Sequence, residues 1–120
     1  MTKSEKNKSA ISAVTGHFKE KLSGKLMKYT CKEWKLDIYY KALASLNVEN
    51  KIMSMQQQGK TAEALVESIL LKALNADGDR LFSNMDKDEL LNEADPNVII
   101  KVASVLNNAN SETVEDIEKN

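Results

Sequence analysis

The chain has 120 residues, of which 42 % are hydrophobic and 29 % are charged, and its formal net charge is −1. This length suits one domain with one core, and the low aromatic content of 5 % predicts that the core is aliphatic. No apolar run approaches the roughly 18 residues of a membrane span, and the polar start lacks the apolar segment of a signal peptide. The single Cys31 cannot form an internal disulfide, which favours a reducing cytoplasm.

The first third of the chain is basic. Residues 1–35 hold nine Lys and three Glu, whereas the remainder holds eight basic and fifteen acidic residues. Residues 1–8 show no hydrophobic period, so we expect a disordered arm. After them a helix is expected, capped by Ser9 and ended by Gly24. Its apolar stripe recurs at steps of three and four and consists of Ile11, Val14, Phe18 and Leu22.

The hydrophobic period changes in residues 34–40. Apolar residues at alternate positions from Trp34 to Tyr40 are typical of a strand, and the preceding KLMKYTCKE can supply an antiparallel partner. A helix is the alternative, because Leu36, Tyr39, Tyr40, Leu43 and Leu46 share one helical face. We favour a short strand or extended stretch that turns into helix near Lys41.

Two helices are predicted in the middle of the chain. Asn47 is the expected N-cap of the first, which Gly59 ends. The second is TAEALVESILLKAL, residues 61–74, whose broad apolar face predicts the core helix.

The stretch ALNADGDRLFSNMDKDEL, residues 73–90, invites comparison with a calcium-binding EF-hand loop. With Gly78 at the sixth position of such a loop, Ala73 stands where the first oxygen ligand belongs and Asn84 where a bidentate Glu belongs. Counting from Asp77 instead places Phe82 at the glycine position. We therefore expect no metal site, and interpret residues 75–78 as a left-handed glycine turn that closes the preceding helix.

The remaining segments predict two more helices. After the turn, the extended RLF is expected to return Leu81 and Phe82 to the core. The spacing of Asp86 and Glu89 is that of a capping box and predicts a short helix. Asp95 followed by the only proline, Pro96, predicts the start of a last helix that runs to about Asn108.

Together these elements predict a mainly α protein, a small single-domain bundle of about four to five helices. The bundle is expected at residues 9–108, with a short β-hairpin or extended segment near residues 26–40. The acidic, polar residues 109–120 are expected to form a flexible tail.

The sequence carries no recognisable catalytic or cofactor-binding motif. Its single His and single Cys lie outside any acyl-transfer motif, its four glycines are isolated, and HExxH and CxxC are absent. We therefore expect no enzyme activity and no cofactor. The Lys-rich third suits phosphate contacts, so the alternative function is a small helical nucleic-acid-binding regulator; the lack of Arg there disfavours base reading.

Three segments occur in an informative order. They are WKLDIYYKAL, then LVESILLKALNADGDRLFSNMDKDEL, then PNVIIKVASVLN. This order resembles the tail assembly chaperones of long-tailed bacteriophages. In that family a helix leads to a D-x-x-G-x-x-x-F-type turn and a D-x-x-L helix, and the domain closes on a helix that ends in Leu-Asn. The resemblance covers residues 34–108, and residues 1–33 have no counterpart in it.

The resemblance implies a non-enzymatic assembly factor that acts in the host cytoplasm and is absent from the finished particle. Such a protein binds the long, helical tape measure protein, keeps it soluble and helps recruit tail-tube subunits. Exposed aliphatic or Met-bearing patches suit a helical partner, because Met adapts to varied surfaces. The candidate partner-binding residues are Trp34, Tyr39, Met53 and Met55, with burial in the core as their alternative role. Self-association through the oppositely charged ends is a further expectation; a membrane partner is not expected.

Overall fold

Helices and one β-hairpin make up the fold. The computed structural model describes residues 3–22, 24 and 26–108, with side chains from Ser9 onwards. The elements in chain order are α1 (Lys3–Leu22), β1 (Met27–Cys31), β2 (Leu36–Tyr40), α2 (Leu46–Gln57), α3 (Thr61–Lys72), α4 (Lys87–Asn92) and α5 (Pro96–Asn107). A 3₁₀ turn, Asn84–Asp86, precedes α4. The predicted mainly α fold with a short hairpin is confirmed.

Strands β1 and β2 form an antiparallel hairpin whose register runs from Met27 opposite Tyr40 to Cys31 opposite Leu36. Cys31 and Ile38 are fully buried because the alternating apolar positions face the helices. The strand prediction is confirmed and the helical alternative is wrong. The expected change to helix near Lys41 is also wrong, since residues 41–45 are irregular and α2 begins at Leu46.

Helix α3 is the centre of the core, as its broad apolar face predicts. It packs against α2, α4 and α5. Its fully buried side chains, together with those of the hairpin and α5, form one cluster that includes Cys31, Ile38, Val66, Ile69, Leu70, Val102 and Ala103. Most of the apolar surface that stabilises this protein is therefore removed from water around a single helix.

Helix α3 ends earlier than the sequence predicts. It stops at Lys72, whereas the apolar period continues to Leu74. Leu74 instead pairs with β2, because its N–H donates to the Tyr39 carbonyl (2.7 Å) and its carbonyl accepts from the Tyr39 N–H (2.9 Å). Arg80 then closes the end of α3, since its Nε donates to the Leu70 carbonyl at 2.7 Å.

The acidic turn after Leu74 is held by an asparagine. The side-chain Oδ1 of Asn75 accepts from the N–H groups of Asp77 (2.9 Å) and Asp79 (3.0 Å). Gly78 has a φ of 87°, a left-handed conformation that favours glycine. The predicted left-handed glycine turn is confirmed, but its predicted role in closing α3 is wrong, because α3 ends at Lys72 and two extended residues separate it from the turn.

The starts of three helices test the predicted caps. The N-cap of α2 is Ser45, so the assignment to Asn47 is wrong; Ser45 Oγ accepts from the Val48 N–H at 3.3 Å. The capping box before α4 joins Ser83 to Asp86, and the predicted pairing of Asp86 with Glu89 is wrong. In both cases the cap is a serine two or three residues upstream of the expected residue. The helical or 3₁₀ segment that it caps begins earlier than predicted.

The start of α5 agrees with the sequence. Asp95 is its N-cap, Pro96 is its first residue, and Asp95 Oδ1 accepts from the Asn97 N–H at 2.9 Å. The helix ends at Asn107, close to the predicted Asn108.

Helix α1 differs from the prediction at its start. It begins at Lys3, so residues 3–8, expected as part of a disordered arm, are helical here. Every side chain from Ser9 to His17 is exposed, and Phe18 and Leu22 are half-buried. The predicted stripe therefore touches the rest of the domain only at its C-terminal half. Residues 1–2 and the predicted tail, 109–120, lie outside the described residues.

Candidate functional site

The described residues contain an apolar groove between the hairpin turn and the segment around α4. Its volume is about 590 Å³. The apolar residues that line it are Trp34, Leu36, Phe82, Leu90, Ala94 and Val98. The acidic residues that line it are Glu33, Asp86, Glu89, Glu93 and Asp95. We call this the acid-rimmed groove, because its lining includes five carboxylates and no basic residue.

The hairpin turn and a pair of aromatic rings form the floor of the groove. Residues 32–35 form the hairpin turn, in which Lys35 takes a left-handed φ of 54°. This turn presents Trp34 to Phe82, with ring centroids 6.2 Å apart and ring planes at 82°. An edge-to-face pair of this kind adds about 0.5–1.5 kcal/mol beyond its buried area. The hairpin is thereby attached to the segment that leads into α4.

Three of the five carboxylates are already engaged within the protein. Glu33 forms an exposed ion pair with Lys101 at 3.7 Å. Asp86 Oδ2 accepts from the Ser83 N–H at 2.8 Å, within the capping box. Asp95 caps α5 through the hydrogen bond described above. These contacts fix the positions of the three side chains and use part of their hydrogen-bonding capacity.

Glu89 and Glu93 are different. Both are exposed, and neither side chain makes an ion pair or hydrogen bond with another described residue. Glu89 lies in the first turn of α4 and Glu93 is its C-cap, four residues further on, a spacing at which like charges on a helix repel each other by about 0.2–0.5 kcal/mol. A cationic group placed between them would relieve this repulsion. The groove therefore combines an apolar floor with negative charge that no described residue neutralises.

A second cavity, of about 360 Å³, lies at the other end of α5. Phe18 and Leu22 of α1 line it together with Leu106 and Asn107 of α5. Asn107 Nδ2 donates to the buried Ser68 Oγ at 3.0 Å, while its buried Oδ1 finds no hydrogen-bond partner among the described residues. Phe18 and Leu22 thus bring the C-terminal end of α1 to the edge of this cavity, which we call the α1 seat.

The four candidate partner-binding residues do not form one patch. Trp34 lies in the groove. Tyr39 alternates with the buried Ile38 and Tyr40, so its side chain points to the other face of the hairpin. Met53 is 53 % exposed and Met55 is half-buried; two residues apart on α2, they point about 200° apart around its axis. Only Trp34 thus belongs to the site.

Sequence reasoning missed most of the groove. Phe82 packs against the core as expected but was not expected to line a groove, and Glu89 was expected as a capping residue. Met85, 88 % exposed beside the groove residue Asp86, was not singled out. The available signal was the spacing of apolar and acidic residues in LFSNMDKDELLNEAD, which places both kinds of side chain along one short helix.

Neither a cluster of metal-ligating side chains nor a helix suited to span a membrane occurs in the part of the chain that the structure describes. It contains no group of three or more His, Cys, Asp or Glu side chains arranged to hold a metal ion. None of its helices is both long and apolar enough to cross a membrane.

Comparison with known proteins gives no relative. No family model, no curated protein and no solved structure matches this chain. The resemblance to tail assembly chaperones therefore stays a prediction from the sequence, and the case for a function depends on the groove.

Proposed function

We propose that this protein is a non-enzymatic assembly chaperone of the phage-tail type, acting in the host cytoplasm. Its acid-rimmed groove would bind an amphipathic helix of the tape measure protein and keep that protein soluble. The same complex would help recruit tail-tube subunits. The observation that carries the proposal is the groove itself, with Glu89 and Glu93 unpaired above an apolar floor.

The chemistry of the groove selects the kind of helix. Helix-in-groove recognition uses apolar anchors at intervals of three and four residues, which match a floor made by Trp34, Phe82 and Leu90. The carboxylates at the rim favour Lys or Arg beside those anchors and disfavour acidic helices, because like charges across an interface cost affinity. Met85, next to the rim, can extend the contact and adapt to different side chains.

Co-expression tests the proposal. The full chain is produced with the helical part of the tape measure protein encoded in the same genome, and the soluble fraction of that protein is measured. The test variant is Glu89→Lys with Glu93→Lys. Asp77→Lys with Asp79→Lys is the matched control, because it changes two exposed acidic residues, and the net charge, by the same amount outside the groove.

We expect the wild-type chain and the control variant to keep the tape measure protein soluble and to co-purify with it. The groove variant is expected to lose both effects. If the tape measure protein precipitates with the wild-type chain as it does alone, the proposal is wrong. If the groove variant is as effective as wild type, binding occurs at another surface and the assignment of the groove is wrong.

A nucleic-acid-binding regulator is the second candidate, and the composition of α1 favours it. This helix contains five Lys and two Glu, and its side chains from Ser9 to His17 are exposed. Binding through phosphate contacts weakens steeply as salt rises. Retention of duplex DNA at about 150 mM salt would support this candidate over the chaperone.

A further inference from the structure

Helix α1 presents an apolar stripe that the described residues of its own domain leave uncovered. Ile11 is 58 % exposed and Val14 is 64 % exposed, although they continue the stripe that Phe18 and Leu22 begin. Helices in proteins gain most of their stability from packing an apolar face, and Gly16 within α1 weakens it further. The N-terminal part of α1 therefore lacks the packing that would stabilise it.

The charges of α1 are arranged around that stripe. Residues 9–18, SAISAVTGHF, contain no acidic residue and no Lys, and they span about 15 Å of helix. Both flanks are basic overall: Lys3, Lys6 and Lys8 with Glu5 on one side, and Lys19 and Lys21 with Glu20 on the other. An apolar centre between basic ends is the complement of an apolar floor between acidic rims. Helix α1 therefore has the apolar residues and the flanking positive charge that would complement the acid-rimmed groove.

The groove and the α1 seat lie at opposite ends of α5. Val98, near the start of α5, lines the groove, whereas Leu106 and Asn107, at its end, line the α1 seat. Neither Ile11 nor Val14 lines the groove of its own molecule, and both side chains stay exposed. They are free to contact another molecule.

We propose that α1 of one copy binds in the acid-rimmed groove of a second copy. Ile11 and Val14 pack against Trp34 and Phe82, and the flanking lysines lie beside Glu89 and Glu93. The contact is heterologous, because each copy uses its helix at one contact and its groove at another. Such contacts produce open chains or closed rings rather than a simple two-fold dimer. The proposal concerns copies of this chain alone and does not depend on the tape measure protein as a partner.

Two variants of the full chain test the contact. Ile11→Ser with Val14→Ser removes the apolar stripe, and Glu89→Lys with Glu93→Lys reverses the unpaired rim charges. All four side chains are exposed, so both variants are expected to fold, which circular dichroism verifies. Mass is measured by light scattering at low and high micromolar concentration, in about 50 mM and about 500 mM salt, which differ several-fold in screening length.

The wild-type chain is expected to grow in mass with concentration and to shrink towards one chain at high salt. Each variant alone is expected to stay monomeric. An equimolar mixture of the two is expected to form a dimer and nothing larger, because it retains one working helix and one working groove. A wild-type chain that stays monomeric at high concentration overturns the proposal. So does a variant that assembles like wild type, or a mixture that stays monomeric while wild type assembles.

Discussion

Trp34 and Phe82 meet edge to face, 6.2 Å apart, although one lies in the hairpin turn and the other before α4. Their contact forms part of the floor of the acid-rimmed groove. Because Trp34 is the only tryptophan of the chain, it also reports on the groove through its fluorescence. The same side chain therefore helps to form the groove and reports, through its fluorescence, when the groove is occupied.

The contact between these two rings should be measurable as a coupling energy. Phe82→Ala is expected to lower the free energy of unfolding by about 1–3 kcal/mol, less than for a fully buried ring because Phe82 is half-buried. In a double-mutant cycle with Trp34→Ala, the coupling should be about 0.5–1.5 kcal/mol. Urea unfolding measures both quantities. Met85→Ala, at an 88 % exposed position, serves as control and should change stability by less than about 0.5 kcal/mol.

Arg80 should stabilise the C-terminal end of α3. Its Nε donates to the Leu70 carbonyl, which would otherwise lack a partner at the helix end. Arg80→Met keeps most of the aliphatic stem and removes this charged hydrogen bond, so we expect a loss of about 1–2 kcal/mol in thermal or urea unfolding. Lys101→Met removes only an exposed ion pair and should cost less than about 1 kcal/mol. Equal effects of the two substitutions would contradict the role of Arg80.

Much of the fold follows from local sequence, but its boundaries do not. The alternation from Trp34 to Tyr40 predicts β2, because only a strand places every second residue on one face. The apolar period of TAEALVESILLKAL predicts α3 but not its end. That end depends on the pairing of Leu74 with Tyr39, which are far apart in the sequence. Local propensity carries no information about such a contact.

The candidate site was less predictable. Trp34 is a predicted contact residue that lines the groove, but Tyr39, predicted together with it, alternates to the other face of the hairpin. Phe82 and Glu93 approach Trp34 only through the packing of the hairpin against the segment around α4. A groove made from two distant segments leaves a composition signal in each of them, and neither signal shows that the segments meet.

Burial of Tyr40 should make stability depend on pH in the alkaline range. Burial raises the pKa of Tyr40 above its ordinary value of 10.0. Above that value the unfolded chain loses the proton first, so the free energy of unfolding is unaffected at lower pH and falls as pH rises through 10. Unfolding curves between about pH 8.5 and pH 11 should therefore decline less steeply for Tyr40→Phe than for wild type. Parallel curves would show that Tyr40 is not the cause.

Titration followed by Trp34 fluorescence shows whether the acid-rimmed groove binds basic amphipathic helices. The probe is a synthetic lysine-flanked amphipathic peptide, added to the chain at a concentration at which light scattering shows one molecule. We predict a saturable change in emission that disappears with the Glu89→Lys, Glu93→Lys variant and with a peptide whose lysines are replaced by glutamates. The Asp77→Lys, Asp79→Lys variant should respond like wild type. Unchanged Trp34 emission, or an equal response to the basic and the acidic peptide, would contradict the binding of basic amphipathic helices in the groove.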